Sequence, residues 1–151
     1  MRILIQRASY AKLYIKKELH ASIGQGLLIL VGIEETDNEE DIAWLSKKAA
    51  MLRIFADEHG VMNRSVQDID GEVLVVSQFT LHANASKGNR PSYIKAARPE
   101  ISKPLYEAFC QNIQQYINKE VKTGVFGADM QIEFVNDGPV SIWIDSKQKQ
   151  Y

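Results

Sequence analysis

With 151 residues, 45% of them apolar and 25% charged, the chain has the length and make-up of one globular domain with a real core. Its net charge of −1 excludes a global field that would draw it onto nucleic acid, and no stretch approaches the roughly 20 apolar residues of a membrane-spanning helix. The single cysteine, Cys110, excludes an internal disulfide, fits a reducing cytoplasmic compartment, and between Phe109 and Ile113 reads as core rather than nucleophile.

The apolar run from Ile3 to Ile5 is too short for a signal peptide, and residues 2 to 7 read as a first strand. Ala11, Leu13 and Ile15 alternate with Lys12, Tyr14 and Lys16, the period of a half-exposed second strand. A short third strand follows near Leu19 to Ile23. After Gly24-Gln25-Gly26 the run Leu27 to Ile33 reads as a fully buried strand, so the opening is expected to be an antiparallel meander.

A first helix is marked by Thr36 or Asp37 as its cap, by Glu39, Glu40 and Asp41 at the positive end of its dipole, and by the stripe Ile42, Leu45, Ala49, Leu52. Arg53-Ile54-Phe55 is expected to return to the sheet, and Asp57 to Gly60 is a turn. The Asp70-Gly71 turn then launches Val73 to Leu81, a buried strand whose aliphatic start gives way to Ser77, Gln78, Phe79 and Thr80. Such a strand carries polar groups to the mouth of a core, where they meet a ligand or satisfy their own backbone.

His82 to Arg98 is a long polar loop, of the kind that is usually functional or mobile. Lys87 to Lys103 holds five bases against the single acid Glu100; on charge alone it is a solvated loop, though it could grip a few phosphates. Pro104 fits the first turn of a second helix with the stripe Leu105, Phe109, Ile113 and Tyr116 or Ile117. A strand from Met130 to Phe134 and another from Val140 to Ile144 flank Asn136-Asp137-Gly138-Pro139, whose plain reading is a hairpin turn. Strands broken by two helices indicate an α+β, largely antiparallel fold. We expect one domain over residues 1–145 and a frayed polar tail over 146–151.

The three histidines, His20, His59 and His82, share no ligand-like spacing, and no HExxH, CxxC, GxGxxG, P-loop or GxSxG motif occurs. No metal and no cofactor are expected. A Thr80–His82 dyad would need both side chains on one face of a strand that continues to residue 82.

Two stretches together are more informative than either alone. Ser77-Gln78-Phe79-Thr80-Leu81 followed by Asn136-Asp137-Gly138-Pro139-Val140 resembles the D-aminoacyl-tRNA deacylases, bacterial type. The likeness extends to Ile5-Gln6-Arg7-Ala8, Gly26-Leu27-Leu28, Arg53-Ile54-Phe55, Met62-Asn63, Gly88-Asn89-Arg90-Pro91-Ser92 and Thr123 to Met130. Ser141 departs from the family's usual threonine and keeps a hydroxyl.

The resemblance implies a barrel-like sheet core with two main helices. It also implies a homodimeric, proofreading hydrolase that cleaves D-aminoacyl-tRNA, and glycine mischarged on tRNA(Ala), to free tRNA and amino acid. Gly138-Pro139, in cis, would reach the partner's site and leave no room for an L side chain, a rejection of the abundant wrong substrate by sterics. Ser77, Gln78, Phe79 and Thr80 would form the floor, with backbone N–H groups for the oxyanion. Thr80 is the nucleophile by residue type, with Gln78 orienting substrate or water, yet the chain offers it no base; assistance from the ribose 2′-OH is the preferred alternative. Phe126 and Met130 would hold the terminal adenosine, or simply pack in the core. Arg7 would hydrogen-bond the Gly-Pro loop, or be a strand-end charge. Lys87, Arg90, Lys95 and Arg98 would contact acceptor-stem phosphates. The expected partners are the tRNA acceptor end and a second subunit, with no membrane and no DNA. Two readings compete: a non-catalytic binding module for the tRNA 3′ end, and a β-rich dimerisation domain.

Overall fold

In the computed structural model, which describes residues 1–149, every other large strand is laid directly or indirectly against β1 (Arg2–Ile15). One edge of β1 pairs along its length with β8 (Met130–Asp145). The other edge pairs first with β3 (Gly26–Gly32) and then with β2 (Glu18–Ile23), and all three pairings are antiparallel. Beyond β3 the sheet continues in parallel through β6 (Glu72–Ser77) and β7 (Lys122–Thr123). The result is the α+β, largely antiparallel, barrel-like core expected, although the parallel β3–β6–β7 segment and the β2-β1-β3 order replace a simple meander.

The two strands expected before residue 17 are one. Register shifts against β8 between Gln6 and Ala8, and again between Ala8 and Tyr10, let β1 coil without stopping. Ile3 and Ile5 therefore enter the core beneath the helices, whereas Ala11 and Leu13 enter a second apolar cluster with Leu28, Leu74 and Val76. Because Leu27 and Ile29 alternate with Leu28 on β3, and Val73 and Val75 with Leu74 and Val76 on β6, both faces of these strands are buried. That explains their uninterrupted aliphatic sequence.

Helix α1 (Glu39–Met51) is capped one residue later than expected. Asn38 Oδ1 accepts from Glu40 N at 2.9 Å, and Asp41 Oδ2 accepts from Asn38 N at 2.9 Å, a reciprocal capping box. Asp37 is instead buried against the amino group of Met1. Helix α2 (Pro99–Gln114) opens on Pro99, not in the turn around Pro104, and buries Tyr106, Phe109 and Ile113. The Phe55 segment does not rejoin the main sheet: β4 (Phe55–Ala56) pairs only with β5 (Met62–Arg64) in a small separate ribbon.

The C-terminal end departs from expectation in two ways. Asn136 to Pro139 is not a hairpin, because β8 runs through it antiparallel to β1. Nor does the chain fray at residue 146. Ser146 is buried and accepts a hydrogen bond from the Met1 amino group at 2.9 Å, while Lys147 Nζ lies 2.7 Å from Asp41 Oδ2. The expectation for residues 150 and 151 lies outside the described residues. Among those described, no helix is long and apolar enough to cross a membrane.

Candidate active site

Strand β6 ends at Ser77, and the polar residues after it do not continue along the sheet. Gln78 still donates its N–H to Val31 O at 2.7 Å, but with φ −145° and ψ 86° it turns the chain into a single 3-10 turn, Phe79–His82. The turn settles on the end of β3 because Gly32 has no side chain. A β-carbon there would lie 2.9 Å from Leu81 Cβ, 3.0 Å from Gln78 O and 3.0 Å from His82 Cδ2. Arg2 fixes the far end by donating to Leu81 O at 3.0 Å, and is itself held by Asp145 at 2.9 Å. The N–H groups of Phe79 and Thr80, which open the turn, have no carbonyl within it to donate to.

Beside this turn opens a cavity of about 510 Å³, lined by residues of both apolar clusters. Val31, Ile33, Val76 and Ile132 give it apolar lining, joined by Ser77, Gln78 and Phe79 from the end of β6 and by Phe126, Asp129 and Met130. Met130 lies across Gly124, where a β-carbon would stand 2.6 Å from its sulfur. Phe126 packs toward Tyr106 with ring centroids 6.0 Å apart. The cavity thus gathers Ser77, Gln78, Phe79, Phe126 and Met130 from segments about 50 residues apart in sequence. An apolar base with a few convergent polar groups is the usual form of a small-ligand site.

The remaining site residues expected from sequence are not part of the cavity lining. Thr80 accepts from Gln78 Nε2 at 2.5 Å, so the amide orients the hydroxyl without acting as a base. His82 is 1% exposed, its ring nitrogens have no hydrogen-bond partner among the described residues, and burial pushes its pKa below the ordinary value. It makes no bond to Thr80, and the dyad fails because the strand has already ended. Cys110 is likewise unsuited to attack, since burial raises its pKa to about 11.

The Gly138–Pro139 peptide bond is cis, and both residues are exposed on β8, outside the cavity of their own chain. Gly138 has φ +126°, a backbone region in which other residues are strained. Arg7 braces this bulge, with Nε donating to Asp137 O at 3.0 Å and Nη1 to Ile54 O at 2.5 Å. Asn136 closes it from the other side, accepting from Val140 N at 3.0 Å and donating to Ser141 Oγ at 2.8 Å.

The basic loop is pinned at its neck by paired bonds of 2.8 Å between Asn84 and Ser92, and at its return by Ala97 N donating to Ile33 O at 2.9 Å. Lys87, Arg90 and Lys95 are exposed on it, and Arg98 reaches Glu35 at 4.0 Å. Sequence reasoning missed Gly32, Arg2, Tyr93 and Asp129. Gly32 sits in an aliphatic run and gives no signal of what will stop against it; Tyr93 lies in a loop read for its length, its charge and a likeness that stops one residue short of it, at Ser92.

Fold and cavity together define a candidate binding site for a small, partly apolar group. A family model described as D-Tyr-tRNA(Tyr) deacylase matches residues 4–145. A D-aminoacyl-tRNA deacylase of Bacteroides thetaiotaomicron is 60% identical over 150 residues, spanning 99% of this chain and 100% of the relative. The solved structure of a c-Myc DNA unwinding element binding protein superposes with a TM-score of 0.91 at 35% identity, covering 96% of this chain and 98% of that one. A probable eukaryotic D-amino acid tRNA deacylase shares the fold at 16% identity, with a TM-score of 0.79 over 95% of this chain and 97% of the other. The chain belongs to the D-Tyr-tRNA(Tyr) deacylase family, and it is an enzyme, a hydrolase acting on ester bonds.

Proposed function

We propose that the chain hydrolyses the ester between a D-amino acid and the 3′-terminal adenosine of tRNA, and that it does so as a homodimer. The observation that carries this reading is the cavity itself, in which Phe126 and Met130 face Ser77, Gln78 and Phe79 across about 510 Å³. The adenine stacks against Phe126 and Met130, which leaves the ester beside the 3-10 turn. Attack on the ester carbonyl gives a tetrahedral oxyanion that accepts from the N–H groups of Phe79 and Thr80. Collapse breaks the bond to the ribose oxygen, which takes a proton and leaves as the free 3′ end. Thr80 lacks a base, so the ribose 2′-OH assists the attacking water, and the protein contributes position and exclusion.

Chirality is read by Gly138-Pro139 of the second subunit. The motif is exposed, braced by Arg7 and absent from its own chain's cavity, which is the arrangement a cross-subunit wall requires. Hydrogen at the α-carbon passes the wall and an L side chain does not, so glycine on tRNA(Ala) is also a substrate. Lys87, Arg90, Lys95 and Arg98 contact backbone phosphates, and the site works in the cytoplasm without a metal.

The test is deacylation of D-Tyr-tRNA and L-Tyr-tRNA side by side, at catalytic enzyme concentration with a chelator present. Loss of the D ester alone is expected. Loss of both esters removes Gly138-Pro139 as the chiral wall. Loss of neither, with tRNA still bound, leaves the non-catalytic end-binding module.

A further inference from the structure

The cavity has two unlike rims. On one stands exposed Asp129, a carboxylate that repels phosphate. On the other stand Phe79, Ala96 and Ala97, leading into the loop that carries Lys87, Arg90, Lys95 and Arg98. On this second rim Phe79 and Tyr93 pack edge to face, with centroids 5.1 Å apart and planes at 74°. Phe79 is 56% exposed and Tyr93 39%, large values for aromatic rings that already touch each other. The neighbouring Ile94 is 92% exposed. In an edge-on pair one ring keeps both faces clear of the other, and a clear aromatic face amid bases is how unpaired nucleotides are held.

The pair is also held in place. Tyr93 O accepts from Ala96 N at 3.0 Å, and the Asn84–Ser92 and Ala97–Ile33 bonds anchor the chain on either side of it. A ring free only to move with an anchored turn loses little entropy on stacking.

We propose that Tyr93, supported by Phe79, is a stacking platform for the base of the nucleotide immediately 5′ of the terminal adenosine. The inference rests on the reading of the cavity as the adenosine site. With the adenosine inside, the strand must leave over one rim; Asp129 disfavours one route, and the bases beyond Tyr93 favour the other. Tyr93 adds affinity for the polynucleotide without touching the ester.

Two substrates separate the contributions: D-tyrosyl-adenosine, which lacks the preceding nucleotide, and the same ester on a cytidylyl-cytidylyl-adenosine trinucleotide. Tyr93→Ala is expected to raise KM for the trinucleotide ester by about fivefold or more, the scale of one lost stacking contact, with kcat retained. The nucleoside ester should be hydrolysed as by the unaltered chain, and Tyr93→Phe should restore the trinucleotide KM. Equal losses on both substrates would overturn the platform and make Tyr93 a wall of the catalytic pocket. Unchanged KM for both would overturn it too, as would a change in sedimentation of Tyr93→Ala, which would make the ring a subunit contact. If the unaltered chain cleaves neither ester, the reading of the cavity fails and the platform falls with it.

Discussion

Gly32 is the position at which a single methyl group tests whether the 3-10 turn is the working part of the site. In Gly32→Ala the new β-carbon meets Leu81 Cβ at 2.9 Å, Gln78 O at 3.0 Å and His82 Cδ2 at 3.0 Å. Ordinary carbon–carbon contact begins near ~3.5 Å, so the turn must lift by about half an ångström. It cannot swing aside freely, since Gln78 N is bonded to Val31 O and Leu81 O to Arg2. Overpacking of this kind costs about 1–3 kcal/mol, or a fall in Tm of about 3–10 °C for a domain of this size. Displacement of catalytic groups by about 1 Å costs on the order of 100-fold, so a shift of half that predicts a loss of about tenfold or more in kcat. Thermal unfolding and deacylation of D-Tyr-tRNA at saturating substrate measure the two effects on one preparation. A lowered Tm with unchanged kcat would show that the turn can move without consequence for the chemistry. That result would refute the placement of the oxyanion at Phe79 and Thr80.

Thr80→Val removes the hydroxyl that accepts from Gln78 and should lower kcat by less than about tenfold, because the N–H groups and the ribose remain. Mass spectrometry of a quenched reaction that found an acyl group on Thr80 would refute ribose assistance. His82 supplies a pH prediction. Its pKa is lower folded than unfolded, so the unfolded chain binds the extra proton first. Its contribution is present above pH ~6.5 and is lost as pH falls from there toward the folded value. Denaturant titrations at pH 7.5 and 5.5 should show lower stability at the acid end, and His82→Leu should flatten the difference. Asp41 and Asp145 do not confuse this window. Burial opposes their ionisation most strongly, but the bonds from Lys147, Ser146 and Asn38 to Asp41, those from Arg2 and the Lys147 backbone to Asp145, and nearby positive charge together outweigh it, so both carboxyls are held below the ordinary aspartate value.

Much of the fold was legible because it is local. The period of Ile42, Leu45 and Ala49 specified α1, and the aliphatic runs of β3 and β6 announced strands buried on both faces. What could not be read is where a strand continues through a break in its pattern. Ser9 is an extra residue of β1 against Val135 and Asn136, and Asp137 to Val140 are extra residues of β8 opposite Arg7, so the two interruptions are adjacent in the β1–β8 pairing. Pairing resumes on either side of both, and only that pairing makes either compatible with a strand. The tail was misread for a related reason: Ser146 and Lys147 are polar, but their partners, the Met1 amino group and Asp41, are distant in sequence.

The same distinction divides the site. Ser77, Gln78 and Phe79 were found because a buried strand ending in polar groups is visible in one segment, and Phe126 and Met130 because family resemblance supplied them. Gly32 and Arg2 had no such signal, since their effect depends on which element stops against which. The change of Gln78 to Leu81 from strand to turn follows from the same cause. β6 can extend only while β3 offers a partner, and β3 ends at Gly32, so the polar residues after Ser77 have no ladder left to join. Had β3 been two residues longer, an extended strand would have held Gln78 and Thr80 on one face but about 7 Å apart along the chain. The hydrogen bond between them, and the N–H groups of Phe79 and Thr80 left without a partner inside the turn, exist because the neighbouring strand is short.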